Sequence, residues 1–79
     1  MKQALDLIFP SHLIKEPVIH QMSKKFDVTF NLRRAKITEK VGEIVLELEG
    51  ESETLAQAMK WLKDQGLKVE PITHDTIEG

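Results

Sequence analysis

Glu43-Ile44-Val45-Leu46-Glu47-Leu48-Glu49, closed by Gly50, is the stretch that decides the fold. Ile44, Leu46 and Leu48 alternate with Glu43, Val45, Glu47 and Glu49. A period of two over this length is a strand with one face in a core and the other facing water. Immediately upstream, Val28, Phe30 and Leu32 alternate with Thr29, Asn31 and Arg33. After Arg33 the apolar positions become Ala35 and Ile37. A one-residue slip would exchange the faces, so a bulge is predicted near Arg33-Arg34. Residues 39–42 are expected to form the hairpin turn, with Gly42 free to take a positive φ.

The flanks have helical spacing. Downstream of Gly50, Ser52 is expected to cap a helix with its hydroxyl, and acidic Glu53 lies near the positive helix end. Leu55, Ala58, Met59 and Leu62 form its apolar stripe, with Trp61 at the stripe's edge. Gly66 is expected to end it in a left-handed conformation. Leu67 and Val69 then open a last strand, and Pro71 marks it as an edge, because proline cannot donate to a ladder. Upstream, Val18, Ile19, Met22 and Phe26 recur at helical spacing, with Pro17 suited to the first helical position. Residues 11–16 read as a loop. Ahead of it, Leu5, Leu7 and Phe9 alternate with Ala4, Asp6 and Ile8 as a first strand.

The order is therefore βαββαβ, an α+β ferredoxin-like fold: a four-stranded antiparallel sheet with two helices on one face. The expected strand order is 4-1-3-2, which puts strand two at an edge. Residues 1–73 read as one domain and 74–79 as a flexible polar tail.

Composition removes several function classes. Lysine and arginine number 11 against 13 acidic residues, a net charge of −2, and there is no cysteine. Cysteine-ligated metal sites and disulfide scaffolds are excluded. His12, His20 and His74 have no metal-ligand spacing, so no metal and no cofactor is expected. No apolar run reaches the ~18 residues of a membrane span, and the chain reads as cytoplasmic. No nucleophile is paired with a base, and no glycine-rich phosphate loop is present, so no enzyme activity is expected. RNA-binding domains of this topology stack bases on aromatics of the central strands. Strand three carries none, so no nucleic-acid partner is expected. A domain of 79 residues buries roughly 60% of its unfolded surface, which makes support from a partner surface reasonable.

The face away from the helices carries Asp6, Ile8, Thr29, Asn31, Arg33, Glu43, Val45, Glu47, Lys68, Glu70 and Ile72. Residues 24–40 hold six basic and two acidic side chains, and residues 43–53 hold five glutamates. Much of this charge should neutralise across the hairpin.

The sequence resembles the NIL domain, the small regulatory domain at the C-terminus of methionine ABC-importer ATPases, also found alone or fused to ferredoxin modules. The matching pieces are Glu16-Pro17-Val18-Ile19, Phe26-Asp27-Val28, Asn31-Leu32, the strand from Gly42 to Gly50, Ala58-Met59-Lys60-Trp61-Leu62 and Gly66-Leu67-Lys68-Val69-Glu70. The family's Asn-Ile-Leu motif reads Asn31-Leu32-Arg33 here. The resemblance implies a non-catalytic module that pairs through strand two and binds methionine or a related sulfur amino acid near that seam. It also implies a ligand position at Asn31. Asparagine offers two donors and an acceptor to an amino acid's charged ends. Arg33 can clamp a carboxylate, and Leu32 or Ile8 can offer an apolar slot. With no ATPase portion in these residues, a stand-alone homodimer is expected. The alternative is a protein-interaction module for a redox or sulfur-assimilation enzyme, with no ligand of its own.

Overall fold

A computed structural model of the protein describes residues 1–72. Its elements are β1 (Lys2–Pro10), α1 (Val18–Lys25), β2 (Thr29–Ile37), β3 (Val41–Glu49), α2 (Ser52–Gln65) and β4 (Lys68–Ile72). One 3₁₀ turn, Ser11–Leu13, follows β1. The sheet order is β2-β3-β1-β4 with every pairing antiparallel. This is the ferredoxin-like arrangement expected from the alternation. The tail expected at 74–79 lies outside the described residues.

The register explains the core. Leu5 pairs with Leu46, and Leu7 with Ile44 and Val69. Leu5, Leu7, Phe9, Leu46 and Leu48 thus form one buried sheet face. Val18 and Met22 of α1 and Leu55, Ala58 and Leu62 of α2 close over it. Each fully buried leucine stabilises the fold by roughly 1.5–3 kcal/mol. Trp61 is half-buried at the margin, with Phe26 edge-on at 6.2 Å.

The phase slip in β2 is a bulge. Leu32 pairs with Leu46 but Arg34 pairs with Val45, so Arg33 is the extra residue. Arg33 and Arg34 therefore share the open face of the sheet.

Gly66 has φ +110°, and Leu67 N–H reaches back to the Leu62 carbonyl at 3.3 Å, closing α2 as expected. Three local expectations are corrected. Glu51, not Ser52, is the residue ahead of α2, and no side chain caps it, because Ser52 is already inside the first turn. Pro17 stands just outside α1 rather than at its first position. Gly42 is an ordinary strand residue opposite Phe9 and Ile37, without positive φ. The turn is made instead by Thr38, whose hydroxyl accepts from the N–H groups of Lys40 and Val41 at 3.3 and 3.2 Å.

Two substitutions check this account by urea unfolding. Leu5→Ala, at a position with no exposure, should cost about 2–5 kcal/mol. Gly66→Ala should cost about 1 kcal/mol or more, because the left-handed backbone disfavours a side chain and the new Cβ would meet Leu13 Cδ1 at 3.2 Å.

Candidate functional site

The two helices leave β2 uncovered. Among the described residues the core draws on β1, β3, β4 and both helices, and takes nothing from β2. All nine residues of β2 are exposed. On its helix-side face Phe30, Leu32 and Ile37 are 39%, 52% and 58% accessible. The opposite edge, β4, has five residues and contains Pro71. Short length and proline are two of the ways of making an edge unattractive to other strands, alongside charged side chains and bulges. The longer edge, β2, has neither of the first two, and carries instead the bulge at Arg33 and the basic residues Arg34 and Lys36.

The residues singled out from the sequence divide between two faces. Asn31 lies on the open face opposite Glu47. Arg33, lifted by the bulge, reaches the same glutamate, with Nη1 3.7 Å from Oε2. Asn31 and Arg33 are therefore brought together. Ile8 shares their face but pairs with Glu43 and Lys68, two strands inward and toward the other end of the sheet. Leu32 points to the helix side, opposite Leu46. Ile8 and Leu32 cannot wall one slot within a single chain.

The centre of the open face is acidic and partly shielded. Asp6 lies between Val45 and Glu70, and its Oδ1 is buried without a hydrogen-bond partner. Burial raises its carboxyl above the ordinary aspartate value. The Glu43 carboxylate beside it raises it further, Arg34 opposes the shift, and Glu70 adds a small like-charge push.

A hollow of about 150 Å³ opens on the helix side, at the end of the sheet where β2 meets α1. Phe9, Ile14, Val18, Ile19, Ile37 and Ile44 form its apolar walls, with Glu16 and His20 at the polar positions. An apolar cavity of ~150 Å³ holds a benzene-sized guest. A thioether or branched aliphatic side chain is of that size. Pro17 gives α1 no side-chain cap. Val18 N–H, the first of the helix, already donates to the Glu16 carbonyl at 2.8 Å; the N–H groups of Ile19 and His20, which have no partner within a helix, are available to an anion. Reading by periodicity missed this hollow because its walls come from five separate segments of the chain. The signal was Ile14, an apolar residue in a loop with no strand or helix stripe to join.

Comparisons with known proteins agree with this geometry. The profile of the NIL domain family matches residues 3–71. The methionine import ATP-binding protein MetN of Helicobacter hepaticus is 31% identical over 70 residues, covering 84% of this chain and 20% of the relative. The chain thus spans about a fifth of the length of that relative. The C-terminal domain of an ABC transporter ATP-binding protein from Enterococcus faecalis superposes with a TM-score of 0.79 at 20% identity. That match covers 89% of this chain and 82% of the other. The ACT domain of a GTP pyrophosphokinase from Chlorobium tepidum superposes with a TM-score of 0.66 at 17% identity, covering 91% and 97%. These two show the shared fold.

The Asp6 environment predicts a pH dependence. Because its folded pKa is raised above the unfolded value, the group contributes stability at low pH that is lost as pH rises through the folded pKa. Asp6→Asn removes the shielded charge. In urea unfolding it should be more stable than the parent at pH 7, with the gap closing as pH falls toward the unfolded aspartate value of 3.8.

Proposed function

This chain belongs to the NIL domain family, and on that premise we propose that it is a non-catalytic regulatory module. In this reading two copies join along β2 and hold methionine or a related sulfur amino acid at the seam. The observation that carries the reading is the free edge: a nine-residue strand bearing Asn31, wholly exposed, with an apolar underside. The setting is cytoplasmic, as for an ATP-binding subunit of an importer.

The chemistry supports such a ligand. The hollow beside Ile37 takes the thioether. The N–H groups of Ile19 and His20 in the first turn of α1 face the α-carboxylate, and Glu16 offers a counter-charge to the ammonium. Asn31 and Arg33 are the polar groups at the seam, Leu32 adds to the helix-side apolar rim, and Ile8 forms the inner apolar spot of the open face. Micromolar affinity requires about −8 kcal/mol, or roughly 0.9 kcal/mol per heavy atom of methionine. This lies below the ~1.5 ceiling for very small ligands but demands enclosure. A seam between two copies encloses better than an open sheet.

The dimer itself should be weak without ligand. Phe30, Leu32 and Ile37 are each about half exposed. Completing their burial is worth roughly 1 kcal/mol apiece, before the cost of association. A second reading rests on the same edge: its basic open face, Arg33, Arg34 and Lys36, also suits an acidic strand from a separate protein. Loss of a specific partner on reversing Arg33 and Arg34 to glutamate, with methionine binding absent, would favour that reading.

Calorimetry with methionine tests the proposal. The parent chain should release heat with a micromolar to submillimolar Kd. Ile37→Asp, which places a charge at the hollow's rim, should abolish binding, whereas Asn31→Ala, on the opposite face of the sheet, should change the Kd less than about threefold; a tenfold loss at Asn31 with Ile37→Asp unaffected would move the ligand to the open face of the seam. Absence of heat at millimolar methionine removes the ligand from the account.

A further inference from the structure

The bulge in β2 does more than correct a register with β3. Before it, Phe30 and Leu32 face the helix side and Asn31 faces the open side. After it, the parity is reversed: Arg34 and Lys36 are open, Ala35 and Ile37 face the helices. The strand is consequently a mirror pattern about the Arg33–Arg34 bond. For two copies paired antiparallel, a residue must meet one from its own face, since a one-residue slip sets an apolar row against a polar one. Only a two-fold axis between Arg33 and Arg34 returns all four helix-side residues to helix-side positions. An axis through Arg33 would oppose Ile37 to Thr29, an apolar residue to a polar one of the other face.

We infer that two copies pair along β2 in this single register, seating Phe30 of the partner copy against Ile37, so that the hollow becomes a slot built from both chains. The inference rests on the dimer reading above and adds its register and the residue that closes the slot. Directly opposed residues of an antiparallel pair approach to ~5 Å between Cβ atoms. Phe30 of the partner copy therefore lies beside the exposed rim residue of the hollow, on the same side of the sheet. Leu32 meets Ala35 next to the axis, a large residue against a small one.

Charge does not oppose the arrangement. Arginines of the two copies meet at the axis, and like charges directly opposite are unfavourable. Each copy brings its own compensation. Arg33 is 3.7 Å from Glu47, and Arg34 lies within the field of Asp6. Two of the four guanidinium groups thus arrive ion-paired to Glu47, and the other two lie near the Asp6 carboxyls.

The chain has no cysteine of its own, so cross-linking reads the register directly. Leu32→Cys and Ala35→Cys chains, mixed and oxidised with copper phenanthroline, should give at least tenfold more disulfide dimer than either chain alone. A mixture of Thr29→Cys and Ile37→Cys, which reports an axis through Arg33, should give little. Efficient cross-linking of that second mixture instead of the first overturns the register and leaves the dimer reading standing. A parent chain that sediments as a monomer at every concentration, with and without methionine, overturns both. Within the covalently joined 32/35 dimer, where association is no longer a variable, Phe30→Ala should raise the methionine Kd about tenfold. An unchanged Kd there overturns the two-chain slot.

Discussion

Two helices, of eight and fourteen residues, are all the cover this sheet has. They bury one face of β1, β3 and β4, and the cover ends before β2. The position of β2 follows from the crossover order: β3 and β1 occupy the centre, and β2 is held only through its hairpin with β3. A strand so placed has satisfied backbone groups on one side and unpaired ones on the other. Its side chains are apolar below and basic above. Every functional property argued for the domain originates in this unfinished edge.

The edge and the hollow are two parts of one construction. The hollow exists because α1 starts late, after Pro17, leaving Ile14 and Ile19 to face Ile37 and Ile44 across a gap. The open face is handled differently. There Arg33 pairs with Glu47 at 3.7 Å and Arg34 lies within the field of Asp6, which offsets part of a crowded row of charges. The bulge serves both faces, since it puts two arginines on the same side while preserving the apolar row beneath.

Much of this was legible in the residues themselves. Strict alternation at 43–49 and the phase slip at Arg33 located β3, the hairpin and the bulge, because a period of two admits few alternatives. Gly66 was legible as a helix terminator, and Pro71 as an edge residue. Gly42 and Ser52 misled for a shared reason: each has the chemistry for a turn or a cap, but a neighbour took the position first. Thr38 organised the turn through its hydroxyl, and Glu51 stood ahead of α2. The candidate site was legible only in part. Asn31 and Arg33 stand two residues apart in sequence and meet at Glu47 in space, whereas the hollow draws on five separate segments that no local pattern connects.

Amide hydrogen exchange along Thr29–Ile37, followed by NMR at rising protein concentration with and without methionine, tests the central claim most directly. The N–H groups of β2 that point away from β3 should exchange quickly in dilute solution. They should slow together as concentration rises, and slow further when methionine is added. Fast exchange at those same amides, indifferent to concentration and to methionine, would contradict the claim that this edge is where the domain works.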